Sequence, residues 1–325
     1  MIKVGIVGGA GYTAGELIRL LVHHSQVELD FVYSTSNSGN FIYAVHEDLL
    51  GSIDLKFTNK VNTNVDVLFL CLGHGNSKKF LEQYAFSKFT KIIDLSNDFR
   101  LEKDEVFQGN TFVYGLPELQ QNKIEAANYI ANPGCFATAI QLALLPLAKA
   151  NLLHKSIHIN ATTGSTGAGV STSATTHFSW RDNNFSLYKP FTHQHLGEIS
   201  ESLVQLQGNF SDELFFIPNR GNFSRGIFAS IYLTFDENIE KAFELFDDFY
   251  ENAVFTKISK SPIHLKQVVN TNNCFIHLEK HKNTLLITSV IDNLLKGASG
   301  QAVQNMNLMF GLNQTEGLKL KANSF

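Results

Sequence analysis

At 325 residues the chain exceeds the roughly 100–200 residues usual for one domain, so we expect two domains. The formal net charge of −4 and the lack of any Lys/Arg block argue against nucleic acid and membrane surfaces as partners, which leaves small molecules. The first apolar run is too short for a signal peptide or a spanning helix, and the three cysteines show no disulfide or zinc spacing. A cytoplasmic protein is therefore expected.

The first forty residues predict a strand, a glycine turn and a helix. Residues 2–7 form a β-branched apolar run, "GGAG" follows, and leucines then recur at helical spacing. Such a turn lets the free N–H groups of the helix N-terminus approach a pyrophosphate. The predicted dinucleotide contacts in this turn are Gly8, Gly11, Tyr12, Thr13 and Ala14, with Ala14 in place of a third glycine.

The end of the second predicted strand, residues 27–34, indicates which dinucleotide binds. NAD sites place a carboxylate there to hold the ribose 2′-hydroxyl, whereas NADP sites lack it. The segment that starts at Ser34 reads "STSNSGN". This segment contains no acidic residue, and it contains no Arg or Lys either. The pattern favours NADP(H), with Ser34 and Ser36 as candidate contacts.

Strand and helix patterns continue to alternate after this point. "VDVLFLCLG" (65–73) reads as a buried strand that contains Cys71 as a core residue, and "KIIDLS" (91–96) reads as the next strand. This alternation predicts a doubly wound parallel sheet, a Rossmann-type α/β domain. Because ligands bind beyond the carboxyl ends of such strands, Gly73, His74 and Ser96 are expected beside the cofactor.

"NPGCFATAIQ" places Cys135 at the start of a helical pattern. The free N–H groups and the dipole of a helix N-terminus stabilise a thiolate and can receive the oxyanion formed when it attacks a carbonyl. Cys135 is therefore the predicted nucleophile, against the plainer interpretation of a buried structural cysteine. Pro146 is expected to kink this helix or to end it one turn early.

A thiolate together with a nicotinamide cofactor suggests that a thioester is formed and reduced, or that the reverse reaction starts from an aldehyde. The hemithioacetal oxygen then needs a proton donor and acceptor, a role that suits histidine. Two of the twelve histidines precede a helix start in "THQHLGEI", so His195 is the candidate acid/base and His193 the alternative. The sequence contains no HExxH pair or similar ligand set, so no metal site is expected.

With these motifs in place, the chain resembles the N-acetyl-γ-glutamyl-phosphate reductases of arginine biosynthesis, which are relatives of aspartate-semialdehyde dehydrogenase. The matching motifs follow the family's order through nearly the whole chain. They are "GGAGYTAGEL" (8–17), "DLSNDFRL" (94–101), "YGLPEL" (114–119), "IANPGCFATAIQLALLP" (130–146), "STGAG" (165–169), "HQHLGEI" (193–199), "PNRGNFSRGI" (218–227) and "DNLLKGASGQAVQNMNLMFG" (292–311).

The resemblance implies an NADP-binding Rossmann domain of residues 1–134, completed by a C-terminal helix in 297–325. It implies a catalytic α+β domain of the semialdehyde-dehydrogenase type in residues 135–296. The apolar, β-rich middle of the chain favours a homo-oligomer, either a dimer or a tetramer. In the family's reaction the cysteine attacks an acyl phosphate, N-acetyl-γ-glutamyl phosphate, phosphate leaves, and NADPH reduces the thioester to the γ-semialdehyde. An arginine that is usual after the second strand is replaced here by Asn37, a departure that bears on the preference for NADP.

Three of only five arginines, Arg100, Arg220 and Arg225, fall inside these motifs. Guanidinium groups bind phosphate and carboxylate in a bidentate manner, so these arginines are candidates for the substrate, and an ordinary ion pair is the alternative for each. The remaining candidate contacts are Asn132, Ser165 and Gly167 for the substrate, and Asn293 and Gly297 for the nicotinamide.

Several alternatives stay open at this level. The substrate could carry an N-succinyl group instead of N-acetyl, and aspartate-semialdehyde dehydrogenase shares the chemistry. A thiol hydrolase or acyltransferase, or a nucleotide sensor, belongs to a different class and would produce no change in nicotinamide absorbance.

Overall fold

The computed structural model describes residues 1–323 and divides into two compact units. The first unit contains Met1–Pro133 and Ala298–Lys319, and the second contains Gly134–Gly297 with the chain from Leu320 onward. Among the described residues, no helix has the length and apolar character needed to cross a bilayer.

Eight α-helices and sixteen strands lie within residues 1–323. The helices are α1 (Tyr12–Leu21), α2 (Ser77–Gln83), α3 (Pro117–Ala126), α4 (Cys135–Lys149), α5 (Phe178–Arg181), α6 (His195–Leu206), α7 (Ile239–Tyr250) and α8 (Gly300–Met309). The strands are β1 (Ile2–Val7), β2 (Val27–Tyr33), β3 (Phe57–Thr58), β4 (Val67–Leu70), β5 (Lys91–Asp94), β6 (Val106–Phe107), β7 (Asn110–Thr111), β8 (Val113–Tyr114), β9 (Tyr129–Ala131), β10 (Ile157–Thr163), β11 (Ser186–Leu187), β12 (Leu214–Arg220), β13 (Ile227–Thr234), β14 (Thr256–Ser259), β15 (Cys274–His281) and β16 (Thr284–Ile291).

The first unit is built on a seven-stranded sheet in the order β3-β2-β1-β4-β5-β9-β8, and all neighbouring strands run parallel. The strand order reverses at β1, which confirms the predicted doubly wound, Rossmann-type arrangement. Val7 pairs with Leu70, so the turn after β1 lies beside the turn after β4. This edge of the sheet is where ligands bind in such folds.

Helix α8 belongs to the first unit although it comes from the end of the chain. All ten of its residues are buried. Asn305 Nδ2 donates to the carbonyl oxygen of Gly115 at 2.9 Å, and Asn307 Oδ1 lies 3.0 Å from His24 Nε2. These hydrogen bonds explain why a helix so rich in amides is fully buried, since buried polar groups need partners.

The second unit contains a mixed seven-stranded sheet in the order β11-β12-β10-β13-β16-β15-β14. Two pairs, β10 with β12 and β14 with β15, run parallel, and the other pairs run antiparallel. Alternate residues of β13, including Ile227, Ala229 and Ile231, are fully buried, as expected for one face of a strand. Helix α4 packs against β13 and β16, with α6 and α7 beside it, and this is the predicted α+β architecture.

Helix α4 continues through Pro146 and ends about one turn later, at Lys149. Proline has no N–H to donate to the carbonyl four residues earlier, which belongs to Leu142. The hydroxyl of Tyr250 on α7 donates to that carbonyl instead, at 2.6 Å. A tertiary contact therefore satisfies the acceptor that the proline leaves open.

Candidate active site

Cys135 is the first residue of α4 and is half-buried. Gly134 before it is extended, with φ −72° and ψ 150°, so the chain turns directly into the helix at the cysteine. Backbone N–H groups in the first turn of a helix lack intrahelical acceptors, and the positive end of the helix dipole lies there. The thiol therefore lies where a thiolate, and an oxyanion formed beside it, are both stabilised.

Two glycines allow other groups to approach Cys135 closely. A Cβ on Gly134 would lie 2.4 Å from Nε2 of His195, and a Cβ on Gly297 would lie 2.8 Å from the Cβ of Cys135. Carbon and nitrogen atoms that are not bonded do not approach so closely, so only glycine fits at either position. The imidazole of His195 thus lies against the start of α4, and Gly297 lies against the cysteine itself.

Glu198 joins His195 to the helix start, a role that the sequence analysis missed. Its side chain is buried; Oε2 accepts a hydrogen bond from the N–H of Gly134 at 2.9 Å, and Oε1 lies 3.9 Å from Nε2 of His195. Gln141 fixes this arrangement, because its Nε2 donates to the carbonyl oxygen of Glu198 at 2.8 Å. The spacing of three residues between the histidine and the glutamate on α6 was the available signal for this pair.

His193 lies beside His195, with ring centroids 4.5 Å apart, but it has a different environment. Its Nδ1 accepts a hydrogen bond from the backbone N–H of His195 at 3.2 Å, and aromatic rings such as Phe136 surround it. Burial lowers the pKa of His193 to about 4, and the nearby charge of Lys189 adds to this effect while Glu198 opposes it. His193 is therefore neutral near neutral pH and holds no proton to donate as an imidazolium.

Tyr188 packs on the same side of the second unit and links the histidines to an arginine. Its ring centroid is 5.7 Å from that of His193, and the guanidinium carbon of Arg220 lies 4.6 Å from the Tyr188 ring centroid. Burial, followed by the proximity of Cys135, raises the pKa of Tyr188. The phenol therefore stays protonated and can donate a hydrogen bond near the cysteine.

The structure gives Arg225 a carboxylate partner within the second unit. Its Nε and Nη2 donate to the two carboxylate oxygens of Asp292 at 3.1 and 3.2 Å. The next residue, Asn293, accepts from the N–H of Gly226 at 2.7 Å and donates to Oγ1 of Thr166 at 3.0 Å. Arg225 and Asn293 thus fix the loops of this region to one another.

The "STGAG" motif forms a single helical turn, Ser165–Ala168, beside the same loops. The N–H of Ser165 donates to the carbonyl oxygen of Phe223 at 2.9 Å. A Cβ on Gly167 would lie 3.2 Å from Oγ1 of Thr163, so this turn also packs tightly on the end of β10. Its predicted substrate contacts stay a prediction.

The glycine turn of the first unit joins β1 to α1 and is closely packed at Gly8 but open at Gly11. Gly8 has φ +82°, and a Cβ there would lie 2.5 Å from the carbonyl oxygen of Cys71. Gly11 starts α1 with open space around it. His46, which the sequence analysis missed, fixes the turn through a 2.7 Å hydrogen bond between Nε2 and the carbonyl oxygen of Gly9.

Of the other predicted contacts in this turn, Tyr12 is exposed and Thr13 is half-buried at the start of α1, whereas Ala14 is fully buried. Ala14 therefore contributes helix packing, as a third glycine would. The backbone oxygen of Thr13 accepts from the hydroxyl of Ser299 at 2.8 Å.

A small polar cluster lies after β2. The side-chain nitrogen of Asn37 is 3.4 Å from Oγ of Ser34 and 3.1 Å from Oγ of Ser36. Hydroxyls and an amide without a carboxylate are compatible with a 2′-phosphate, because no negative charge repels it.

The remaining strand ends of the first unit form an internal network. Asp98, also missed by the sequence analysis, accepts from the N–H groups of Gly75 and Ser77 at 2.6 and 3.0 Å and so caps α2. His74 Nδ1 accepts from the N–H of Asn97 at 3.1 Å. Gly73 lies at this same turn, where a Cβ would be 3.6 Å from the amide nitrogen of its neighbour Asn76.

Asp94, at the end of β5, is buried and accepts from the hydroxyls of Ser77 and Ser96 at 2.5 and 2.6 Å. Burial raises the pKa of Asp94 to about 6, although these hydrogen bonds and the charge of Arg100 act in the opposite direction. Arg100 is buried, and its Nη2 donates to the carbonyl oxygen of Leu95 at 3.0 Å. The side chains of Ser96 and Arg100 are thus engaged within the first unit.

Asn132, the last of the predicted substrate contacts, lies in the first unit and is also buried. Its Nδ2 donates to the carbonyl oxygen of Ala298 at 3.1 Å, and its Oδ1 accepts from Asn305 at 3.1 Å. These bonds hold the residue after β9 to α8. They do not by themselves indicate a ligand.

Sequence comparisons identify both units. Residues 3–127 match the family described as "Semialdehyde dehydrogenase, NAD binding domain", and residues 135–293 match "Semialdehyde dehydrogenase, dimerisation domain". The N-acetyl-gamma-glutamyl-phosphate reductase of Flavobacterium johnsoniae is 62% identical over 325 residues, and that of Christiangramia forsetii is 61% identical, each over 100% of both chains.

Solved structures with the same fold include aspartate semialdehyde dehydrogenase II from Vibrio cholerae. That structure superposes with a TM-score of 0.73 at 16% identity and covers 96% of this chain and 98% of its own. The aspartate semialdehyde dehydrogenase of Candida albicans, solved with NADP, gives 0.68 at 12% identity over 95% and 99%. Because the family models match both units and the curated reductases match the full length of the sequence, the chain belongs to the semialdehyde dehydrogenase family and, within it, to the N-acetyl-gamma-glutamyl-phosphate reductases.

Proposed function

We propose that the protein reduces N-acetyl-γ-glutamyl phosphate to N-acetylglutamate γ-semialdehyde with NADPH and releases phosphate, through a thioester on Cys135. The observation that carries this proposal is the start of α4. There a cysteine, a histidine and a glutamate converge in a chain that is 62% identical to a curated reductase of this name.

The first step is attack of the Cys135 thiolate on the acyl carbon of the substrate. The carbon–sulfur bond forms, the acyl oxygen becomes an oxyanion, and the first-turn N–H groups of α4 stabilise it. Phosphate then leaves with the electron pair of the bond that it shared with the acyl carbon. The product of this half-reaction is the thioester.

In the second step His195 handles the proton. A bound nicotinamide dinucleotide supplies the hydride that reduces the thioester carbon. His195 then gives a proton to the resulting hemithioacetal oxygen, and the Glu198 carboxylate 3.9 Å from its Nε2 stabilises the imidazolium form. When that oxygen returns the proton, the carbon–sulfur bond breaks, and the aldehyde and the thiolate are released.

A nicotinamide cofactor follows from the family to which the first unit belongs. The glycine turn fits a dinucleotide, because there is no room for a Cβ atom at Gly8 and the space beside Gly11 is open. We assign NADP(H) rather than NAD(H) because Ser34, Ser36 and Asn37 form a cluster without a carboxylate after β2. The two matched domains support the division into a cofactor domain and a catalytic domain, and the family's "dimerisation domain" supports a homo-oligomer. A cytoplasmic location is part of the same proposal.

The test is phosphate-dependent reduction of NADP⁺ by N-acetylglutamate γ-semialdehyde, followed at the nicotinamide absorbance. We expect turnover by the wild-type protein and by Cys274→Ala, a buried cysteine in β15, and none by Cys135→Ala. Turnover by Cys135→Ala would refute the thioester route. Absence of turnover in the wild type with every N-acylglutamate γ-semialdehyde would refute the substrate assignment.

A further inference from the structure

Arg181, at the end of α5 in the second unit, was not singled out by the sequence analysis. Arg181 is only 8% exposed to solvent. Its Nη2 donates to the carbonyl oxygen of Gly221. Its Nε and Nη1 are buried and have no acceptor among residues 1–323. A buried guanidinium with unused donors is rare, because such donors lose their hydrogen bonds to water without replacement.

A second arginine, Arg220, ends β12 and directly precedes Gly221, whose carbonyl oxygen accepts the hydrogen bond from Arg181. Burial lowers the pKa of Arg181, and the positive charge of Arg220 lowers it further. Arg220 pairs with Ser186 of β11 in the sheet, so a short strand ties the segment after α5 to the end of β12. Within residues 1–323, neither arginine forms an ion pair with a carboxylate.

The other arginines of the chain have negative groups near them. Arg19 pairs with Glu16 at 2.7 Å, and Arg225 pairs with Asp292 at 3.1 Å. Arg100 acts on the buried Asp94 carboxyl. The pair of like charges at Arg181 and Arg220 is therefore the exception, and a bound anion would remove both the repulsion and the unsatisfied donors.

The position of the pair relates it to the reaction. Arg220 lies over the ring of Tyr188, with 4.6 Å between its guanidinium carbon and the ring centroid. Tyr188 in turn contacts the His193 ring and lies close enough to Cys135 to respond to its charge. The arginine pair thus lies one side chain away from the residues that surround the cysteine.

We propose that Arg181 and Arg220 together bind a carboxylate of the substrate whose acyl group reacts at Cys135. This inference rests on the proposed function, because the glutamyl substrate carries its α-carboxylate at the end opposite the acyl phosphate. A planar carboxylate matches the fork of a guanidinium, and two guanidinium groups can hold both of its oxygens. A second source of the same chemistry is a carboxylate on the N-acyl group, as in an N-succinyl substrate.

Calorimetric binding of three unreactive probes distinguishes these sources. The probes are N-acetylglutamate, its α-amide N-acetylisoglutamine, and N-succinylglutamate. If the pair holds the α-carboxylate, the wild type binds N-acetylglutamate roughly 10–100-fold more tightly than the α-amide. If it holds the acyl carboxylate, N-succinylglutamate binds more tightly than N-acetylglutamate by a similar factor.

Substitution then assigns the preference to the pair. Arg220→Gln removes a half-buried charge, and we expect it to abolish whichever binding preference the wild type shows. Arg181→Lys keeps the charge but loses the planar fork, and we expect it to reduce that preference. Arg19→Gln, on the surface of α1, is the matched control and should bind all three probes as the wild type does. Thermal melting of each variant verifies folding, and if Arg181→Lys does not fold, Arg220→Gln alone decides.

Equal binding of the three probes by the wild type, or an unchanged preference in Arg220→Gln, would overturn the inference. The outcome is separate from the proposed function, because binding is measured without turnover. Normal turnover with an unchanged preference refutes only the arginine pair. Arginine-dependent binding without turnover of either semialdehyde refutes only the reaction.

Discussion

Two helix N-termini, one in each unit, show how neighbouring side chains decide what such an end can do. At α2 in the first unit, the carboxylate of Asp98 accepts hydrogen bonds from the N–H groups of Gly75 and Ser77. At α4 in the second unit, the first residue is Cys135, and the carboxylate of Glu198 accepts a hydrogen bond from the N–H of Gly134, one residue before the thiol. Both ends favour negative charge, but at α4 the first residue carries a thiol that can ionise there.

The same contrast separates the cysteines. Cys71 directly follows β4, and burial together with the nearby Asp94 carboxyl raises the pKa of its thiol, so it stays protonated. Cys135 lies at a helix start, with a histidine beside the preceding glycine. Its surroundings, rather than the presence of a thiol, make it the candidate nucleophile.

The largest effect that would sharpen this comparison is the loss of the nucleophile. We expect Cys135→Ser to lower kcat by at least about 10³-fold, because a serine hydroxyl is far less ionised near neutral pH than a thiol. Cys71→Ser should stay within about tenfold of the wild type. Steady-state rates of NADPH oxidation with the acyl phosphate measure both, and equal losses in the two variants would break the comparison.

The next effect concerns the two histidines beside α4. We expect His195→Gln to lower kcat by roughly 10²–10⁴-fold, the usual contribution of a general acid/base. His193→Gln should lower it by less than about tenfold, because a histidine with a pKa of about 4 carries no proton to transfer at neutral pH. If His193→Gln lowered kcat more than His195→Gln, His193 rather than His195 would be the general acid/base.

The buried Asp94 provides a pH test in the first unit. Its folded pKa of about 6 is above the ordinary value of 3.8 for an aspartate, so the folded state binds this proton more tightly than the unfolded state. The stability of the wild type relative to Asp94→Asn should therefore fall by about 2 kcal/mol as pH rises from 4 to 7. Urea unfolding at several pH values measures this difference, and a rise with pH would contradict the assignment.

The smallest expected effect concerns the start of α2, where the Asp98 carboxylate already accepts the free N–H groups. Asp98→Ala removes the cap of α2, and we expect it to lower the free energy of unfolding by about 1 kcal/mol. The rate with saturating substrate should change little, because the Asp98 carboxylate accepts its hydrogen bonds from backbone N–H groups at the start of α2. Urea unfolding and the turnover assay on the same preparation measure both quantities, and a large loss of rate without loss of stability would assign Asp98 a role in the reaction.

Much of the fold could be predicted from the sequence, because its signals are local. The apolar run before Gly8 and the helical spacing after it define the first strand–turn–helix, and the alternation that follows predicts a doubly wound sheet. The start of α4 at Cys135 could also be predicted, from the Asn-Pro-Gly entry. These features depend on residues that are neighbours in the chain.

Features that depend on distant residues could not be predicted. The hydroxyl of Tyr250 lets α4 pass through Pro146, and Glu198 reaches the N–H of Gly134 from another helix. The arginine pair is similar, because nothing in "SWRDNN" or "PNRG" indicates that the two guanidinium groups approach each other. Such contacts exist only once the chain has folded, and they decide which polar side chains are left with unused hydrogen-bonding capacity.

The most direct test of the central claim is mass spectrometry of the protein after brief exposure to N-acetyl-γ-glutamyl phosphate without any nicotinamide cofactor. We expect one added N-acetylglutamyl group on the peptide that contains Cys135. This group should be lost on treatment with hydroxylamine and absent in Cys135→Ala. An unmodified protein that still reduces the substrate when NADPH is added, or an acyl group on another residue, would contradict a thioester at the start of α4.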